Sequence, residues 1–274
     1  MYTNFIVIFL YFIVIYRIVQ LYEVLIAMSF QNQFTKTTTD ANLMETVHHG
    51  NAEYPFRYYY ENIALFDFKC IDWHWHSELE FIYIKSGNVV FDIGTVHFEL
   101  NEGNGIMINS KILHQLQSSS DAIIPNFLFQ PSFIAPQDSL IYKKYINPVI
   151  SSSLEYLVFQ PDIPWQKKAL EIIKTIIAVQ ETEFNREIIV SMSVQQLWIL
   201  LLENLTFDQF ENMGAVISRT RLQLMMQYVH AHYSENITLE DIARTANISK
   251  STALHLFQNN LKLTPVKYLI NYRL

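Results

Sequence analysis

The chain has 274 residues, half of them apolar, 14% aromatic and 16% charged, with only six glycines. That composition excludes a disordered or low-complexity chain, and the length suffices for two domains, each with its own core. The net charge is −7 and Cys70 is the single cysteine, which excludes an intramolecular disulfide and a cysteine metal cluster and makes a reducing cytoplasm the expected location.

The most apolar stretch is Phe5 to Ile26. Its uncharged part, Phe5 to Tyr16, is twelve residues, short of the roughly 18–20 that cross a bilayer, and Arg17 and Glu23 interrupt the rest. No Lys or Arg precedes it and no small-x-small site follows, so a signal peptide fits badly. Translation is therefore expected to begin at Met28, with residues 1–27 outside the functional core. A single membrane anchor is the other reading, and membrane association is not expected. Residues 29–51 are polar and unpatterned and read as a flexible arm.

From Tyr54 to Pro131 short β-branched and aromatic runs alternate with turn signals, which predicts a sandwich or small barrel. Val90, Asp92, Gly94, Val96, Phe98 and Leu100 show a period of two, and Gly103 and Gly105 supply a permissive backbone for the turn NEGNG. Within this region His74, His76 and Glu80 stand as H-x-H-x-x-x-E, followed by Gly87, with His114 one strand pair later. Side chains alternate on a strand, so His74 and His76 share a face, and Glu80 shares their parity unless a bulge intervenes. Three imidazoles and a carboxylate could bind Fe, Mn, Zn or Ni and make an enzyme, a dioxygenase or isomerase. Without metal, the same groups with Trp73, Trp75 and Tyr83 would hold a small polar effector. The third reading is a solvated barrel mouth with no ligand. The spacing resembles the two conserved blocks of the cupin superfamily, although the proline usual in the second block is missing.

After Pro161 and Pro164 the period lengthens. Trp165, Ala169, Ile172, Ile173, Ile176 and Ile177 form one helical stripe, and Val190, Val194, Leu197, Leu201 and Leu205 a second. The two are separated around Thr182 to Arg186. Ile189, Met192, Ile199 and Leu202 add apolar surface to the second helix, for intramolecular packing or for a dimer contact. The segment from Phe207 to Gly214 reads as a hinge.

From Ser218 to Leu274 seven Lys+Arg stand against three Asp+Glu, a net of +4, which leaves −11 for the remainder. A basic tail on an acidic body points to nucleic acid. Leu222, Met225, Met226, Val229 and His230 predict a supporting helix. In the run Ile237 to Leu261, Ile242, Ala246, Ile248, Ala253 and Leu256 fall inward on two short helices that approach at Ala243. Thr238 and Ser249 can cap them, and Asn247 suits a left-handed turn. The free face of the second helix carries Lys250, Ser251, Thr252, His255 and Gln258, all able to bond groove edges or phosphates. Beyond it, Thr264 caps and Pro265 starts a helix whose apolar side is Val266, Leu269 and Ile270.

The run ITLEDIARTANISKSTALHLFQNNLKLTPVKYLINYRL resembles the first helix-turn-helix and connecting helix of AraC/XylS-family transcription regulators. The block HWHSELEFIYIKSGN and the helix pair resemble that family's regulatory half. The resemblance implies a mixed, multidomain chain: an all-β cupin-like sensing barrel (28–164), a helical connector (165–217) and an all-α helix-turn-helix domain (218–274). It implies a cytoplasmic, non-enzymatic regulator that takes a small effector, such as a sugar, without cofactor or metal. Double-stranded DNA, transcription machinery and a second copy of the chain are its implied partners. The family's groove contacts carry over to Ser251, Leu254 and His255, with Lys250 beside them. His255 stands where many members have arginine, and a neutral imidazole cannot fork onto guanine. Family members carry a second helix-turn-helix, and this sequence stops at Leu274. A fragment, or weak DNA binding through phosphate contacts of Arg244, Lys250, Lys262 and Lys267, is the expectation.

Overall fold

A computed structural model describes residues 36–40, 43–94, 96–181, 184–205, 213–261 and 263–273. The apolar N-terminal stretch, the Met28 start, the anchor reading, most of the hinge and Lys262 lie outside the described residues. Among the described residues no helix is long and apolar enough to cross a membrane.

Among the described residues nine strands form two sheets. The first has the order β1 (Phe56–Asn62), β8 (Ile123–Phe129), β3 (Leu79–Tyr83), β6 (Gly105–Ile108), β9 (Tyr156–Phe159). The second has the order β2 (Cys70–His74), β7 (His114–Gln117), β4 (Asn88–Ile93), β5 (Val96–Asn101). Every strand pairing within them is antiparallel. The sheets face each other across a largely aliphatic core that includes Ile71, Ile82, Val89, Ile106, Leu116 and Ile124, with Phe91 among them, as expected where alternate residues of half-buried strands point inward.

The period of two holds, but its phase changes at the β4–β5 hairpin. Ile93 pairs with Val96, Phe91 with Phe98 and Val89 with Leu100, so odd positions of β4 share a face with even positions of β5. Val89, Phe91 and Ile93 are the buried set of β4, and Val90 and Asp92 lie on its outer side. Gly103 has φ +87 and serves the turn as expected, whereas Gly105 does not. A Cβ there would stand 2.9 Å from Leu170, so Gly105 is small because a helix presses on it.

That helix is α1 (Pro164–Ala178). Together with α2 (Arg186–Asn204) it covers the outer face of the five-stranded sheet. Phe81 stacks on Phe127 and Phe129 with centroids at 5.3 and 5.8 Å, and on Phe159 at 6.3 Å. Ala169, Ile173, Ile176, Val190, Val194, Leu197 and Leu201 close over these rings. Ile188, Met192 and Ile199 remain 57–66% exposed on α2.

The C-terminal helices are α3 (Met213–His232), α4 (Leu239–Thr245), α5 (Lys250–Leu261) and α6 (Pro265–Arg273). Thr238 and Asp241 form a reciprocal capping box at α4, Thr252 N–H donates to Ser249 Oγ at 3.1 Å, and Asn247 takes φ +52. Lys267 N–H donates to Thr264 Oγ1 at 3.1 Å, capping α6. Phe257, Tyr268 and Leu269 are buried with Leu222, Met225, Met226, Val229, Ile242 and Ala253. The apolar side assigned to α6 is corrected: Val266 and Ile270 are 45% and 43% exposed, and Pro265, Tyr268 and Leu269 face inward. The buried stripe starts one residue earlier because Tyr268 packs on Phe257, with ring centroids 5.6 Å apart, and its hydroxyl bonds His230 at 2.7 Å. Replacing Thr238 by alanine should remove the box and destabilise this unit by about 1 kcal/mol. Faster amide exchange confined to Leu239–Ile242 would be the readout.

Candidate functional site

The histidines expected to converge do so, and a bulge aims them. On β2 the register runs Ile71 to Leu116 and then His74 to His114, with a shift between, so three steps on β2 match two on β7. Ile71 and His74 therefore both point inward although they are an odd number of residues apart. His74, His76, Glu80 and His114 are all buried, and one ring nitrogen from each of the three histidines lies within 4.8 Å of the others.

The second nitrogen of each ring fixes its tautomer. Nδ1 lies 2.7 Å from the carbonyl of Asp72 in His74, 3.2 Å from that of Glu78 in His76, and 2.9 Å from that of Ile112 in His114. A carbonyl only accepts, so each Nδ1 carries a proton. Glu80 Oε2 stands 3.3 Å from His76 Nε2 and 3.2 Å from His114 Nε2. The His114 atom has no hydrogen-bond partner despite that distance, because the approach is close but out of line. Burial holds His74 down to about 3, with His114 adding to it. Burial alone would raise Glu80, but His114 and His76 outweigh it and keep the carboxyl below the usual range. The four side chains fit a metal ion: three nitrogen donors, one carboxylate, and a carbonyl behind each imidazole.

Beside them lies a cavity of about 40 Å³, room for on the order of three waters. Its lining includes residues that periodicity did not single out. Lys36, Thr37, Glu45 and His49 reach it from the N-terminal arm, and Tyr59, Glu61 and Asn126 from β1 and β8. The expectation of a flexible arm is corrected for its described part. Trp75 N–H donates to Leu43 O and Glu45 N–H to Trp75 O, both at 2.9 Å, so the arm runs beside β2. His49 bridges Tyr59 OH at 2.8 Å and Glu45 at 3.0 Å. Burial and the Glu80 charge push Glu61 up to about 8, while Asn126 donates to it at 2.7 Å. The spacing of Glu45 and His49 was the one available signal, and two residues do not distinguish an arm that docks from one that does not.

The aromatic part of the expected pocket is also corrected. Trp73 and Trp75 alternate with His74 and His76 and point the other way, onto the cluster that holds Leu43, Leu113 and the buried residues of α3 to α6. Tyr83 follows Leu79 and Phe81 onto the helix-covered face, where Lys174 Nζ lies 4.8 Å from its ring centroid. Strand alternation places all three away from the histidines.

On α5 the exposed residues include Lys250, Ser251, Thr252, His255, Gln258 and Asn259, with Leu254 half-buried and Ala253 and Phe257 inside. Lys250 Nζ pairs with Glu240 at 3.2 Å, both side chains about 60% exposed; such a pair contributes little and leaves the ammonium available. Arg244, at 3.6–3.7 Å from Asp241 and Glu240, and Lys267 are exposed nearby.

A barrel with a buried polar centre thus packs against a capped helix-turn-helix. Residues 66–136 match the AraC-like ligand binding domain. The chain is 33% identical over 242 residues to the HTH-type transcriptional regulator YdeC of Bacillus subtilis, covering 86% of this chain and 81% of that protein. It is 24% identical over 152 residues to the lactose operon transcription activator of Staphylococcus xylosus, covering 53% and 54% of the two chains. ToxT of Vibrio cholerae superposes loosely, at TM-score 0.35 and 14% identity over 79% of this chain and 98% of its own. The chain belongs to the AraC-like family of HTH-type transcriptional regulators.

Proposed function

We propose that this regulator reads duplex DNA with α5 and answers to a small effector held in the barrel, without catalysing a reaction on it. The observation that carries this reading is the division of α5: Ala253 and Phe257 lock one side into the helical core, and Ser251, His255 and Gln258 are left together on the open side. Lys250, Thr252 and Leu254 flank that face, and Lys250, Arg244 and Lys267 are placed to neutralise phosphates. The division into residues 28–164 for sensing, 165–217 for connection and 218–274 for DNA is part of the same reading. So is a cytoplasmic location, with transcription machinery as a further partner. A second copy of the chain would cover Ile188, Met192 and Ile199 on α2, since apolar side chains gathered on one helix face favour association.

His74, His76, Glu80 and His114 form the effector site in this reading. Trp73, Trp75 and Tyr83 have no direct part in it. A sugar fits only if the arm moves, since pockets for such ligands measure about 300–1,000 Å³ and this cavity of about 40 Å³ is far smaller.

Lys250→Ala should weaken binding to specific and scrambled duplexes about equally and lower the salt slope by roughly one. His255→Ala should cost about 1–3 kcal/mol on the specific duplex alone. Anisotropy titrations of both variants at two salt concentrations check this. Equal loss on both duplexes for His255→Ala would remove the histidine from base reading.

A further inference from the structure

We propose that Glu240 is a positioning residue for DNA binding: its carboxylate holds Lys250 back from the phosphates and so limits how strongly α5 is drawn to DNA of any sequence. The proposal rests on the regulator reading above, in which α5 faces the duplex.

Three acids stand among the seven Lys+Arg of residues 218–274, and two of them are engaged elsewhere. Asp241 closes the capping box: Thr238 N–H donates to its Oδ2 at 3.0 Å and Thr238 Oγ1 at 2.6 Å. Glu235 pairs with His232 at 2.9 Å, in the connection between α3 and α4. Glu240 has no part in the cap. Its Oε2 accepts from Lys250 Nζ at 3.2 Å, and its Oε1 lies 3.7 Å from a guanidinium nitrogen of Arg244. One carboxylate thus bridges the two helices of the turn and faces two of the cations placed to neutralise phosphates. Glu240, Arg244, Ser249 and Lys250 line a single open groove around that turn.

The Glu240–Lys250 pair is too exposed to matter for folding, since both side chains are well open to solvent and such pairs add little stability. Its position gives it another consequence. Lys250 is the first residue of α5 and adjoins Ser251 on the open face. For its ammonium to neutralise a phosphate, Lys250 either leaves Glu240 or brings the phosphate close to a second negative charge. The ammonium stays available to DNA, but each route weakens binding at low salt. Both penalties fade as ions screen the carboxylate over about 10 Å or less. A complex with unmatched DNA is held by phosphate contacts, whereas a matched one adds base contacts. Restraint of Lys250 therefore lowers the occupancy of unmatched DNA while leaving Ser251, His255 and Gln258 free to read bases.

Glu240→Gln removes the charge, keeps a good helix former and leaves the capping box of Thr238 and Asp241 in place. Phosphate attraction is independent of sequence, so a duplex of random sequence serves as the probe, titrated by anisotropy against the full chain at two salt concentrations. At low salt Glu240→Gln should bind at least about threefold tighter than wild type, with a salt slope steeper by up to about one. Glu240→Ala should give the same gain, and thermal melts of both should match wild type. In a Lys250→Ala background the gain should shrink by at least about twofold, because the restrained cation is gone. Glu171→Gln removes the same charge from the exposed side of α1 and should leave affinity unchanged. Unchanged or weaker binding by the Glu240 variants, an equal gain from Glu171→Gln, or an undiminished gain without Lys250 would each overturn the proposal. If wild type and Glu240→Gln alike bind no duplex at low salt, the regulator reading fails and the proposal with it.

Discussion

Replacing Phe81 by alanine should lower the stability of the barrel by about 3–5 kcal/mol, a large part of the roughly 5–15 kcal/mol that a domain has. Phe81 is 1% exposed at the centre of the five-stranded sheet and stacks on Phe127, Phe129 and Phe159. The loss has two parts: the transfer of a large apolar ring and the void left behind. Neighbouring rings cannot collapse into that void, because each is held by its own strand and by α1 and α2 above. Urea unfolding followed by far-ultraviolet circular dichroism should show a midpoint lowered by more than 1 M for an ordinary slope. A midpoint within experimental error of wild type would mean that α1 and α2 are not seated on this ring stack.

The helix-turn-helix unit should lose on the order of 3 kcal/mol as pH falls from about 6.5 to 4. Burial holds His230 down to about 4, whereas in the unfolded chain it titrates near 6.5. Between those values the unfolded chain binds a proton that the folded unit refuses, so stability falls with falling pH and levels off below the folded value. Neutral His230 Nε2 accepts a bond from Tyr268 OH at 2.7 Å, and its ring lies 3.8 Å from that of Tyr272. His230→Gln keeps an acceptor and removes the titration. Thermal melts between pH 7 and 4 should therefore show a steeper decline for wild type than for this variant, and parallel declines would exclude His230 as the cause. Glu61, pushed up to about 8, acts in the other direction. The folded chain keeps a proton there that the unfolded chain gives up, so this contribution falls as pH rises from 4.5 to about 8 and overlaps the His230 window, and the comparison with His230→Gln, which leaves Glu61 in place, isolates the histidine.

Local periodicity sufficed where one residue type has one physical use. The caps at Thr238, Ser249 and Thr264, the left-handed Asn247 and the stripes of α1 and α2 were legible because a helix end or a buried face admits few alternatives. Convergence of His74, His76, Glu80 and His114 was legible from parity, although the bulge that delivers His74 left no mark in the sequence. What periodicity could not reach was which side of a strand faces which neighbour. Proximity in sequence places Trp73, Trp75 and Tyr83 at the pocket, whereas alternation turns them onto faces covered by helices that come more than 80 residues later. Glu45 and His49 are hidden for a related reason: an arm that docks through two main-chain bonds, the His49–Tyr59 contact and the one buried side chain of Leu43 carries no hydrophobic pattern.

The most direct measurement of the central claim is selection of duplexes from a random pool by the purified chain, in parallel with a variant carrying Ser251→Ala and His255→Ala. A regulator that reads bases with α5 should enrich one motif, and the double variant should retain salt-sensitive binding while losing preference at the base pairs those side chains face. Enrichment of the same motif by both proteins, or no enrichment by the wild-type chain at low salt, would contradict the assignment of α5 as the reading helix.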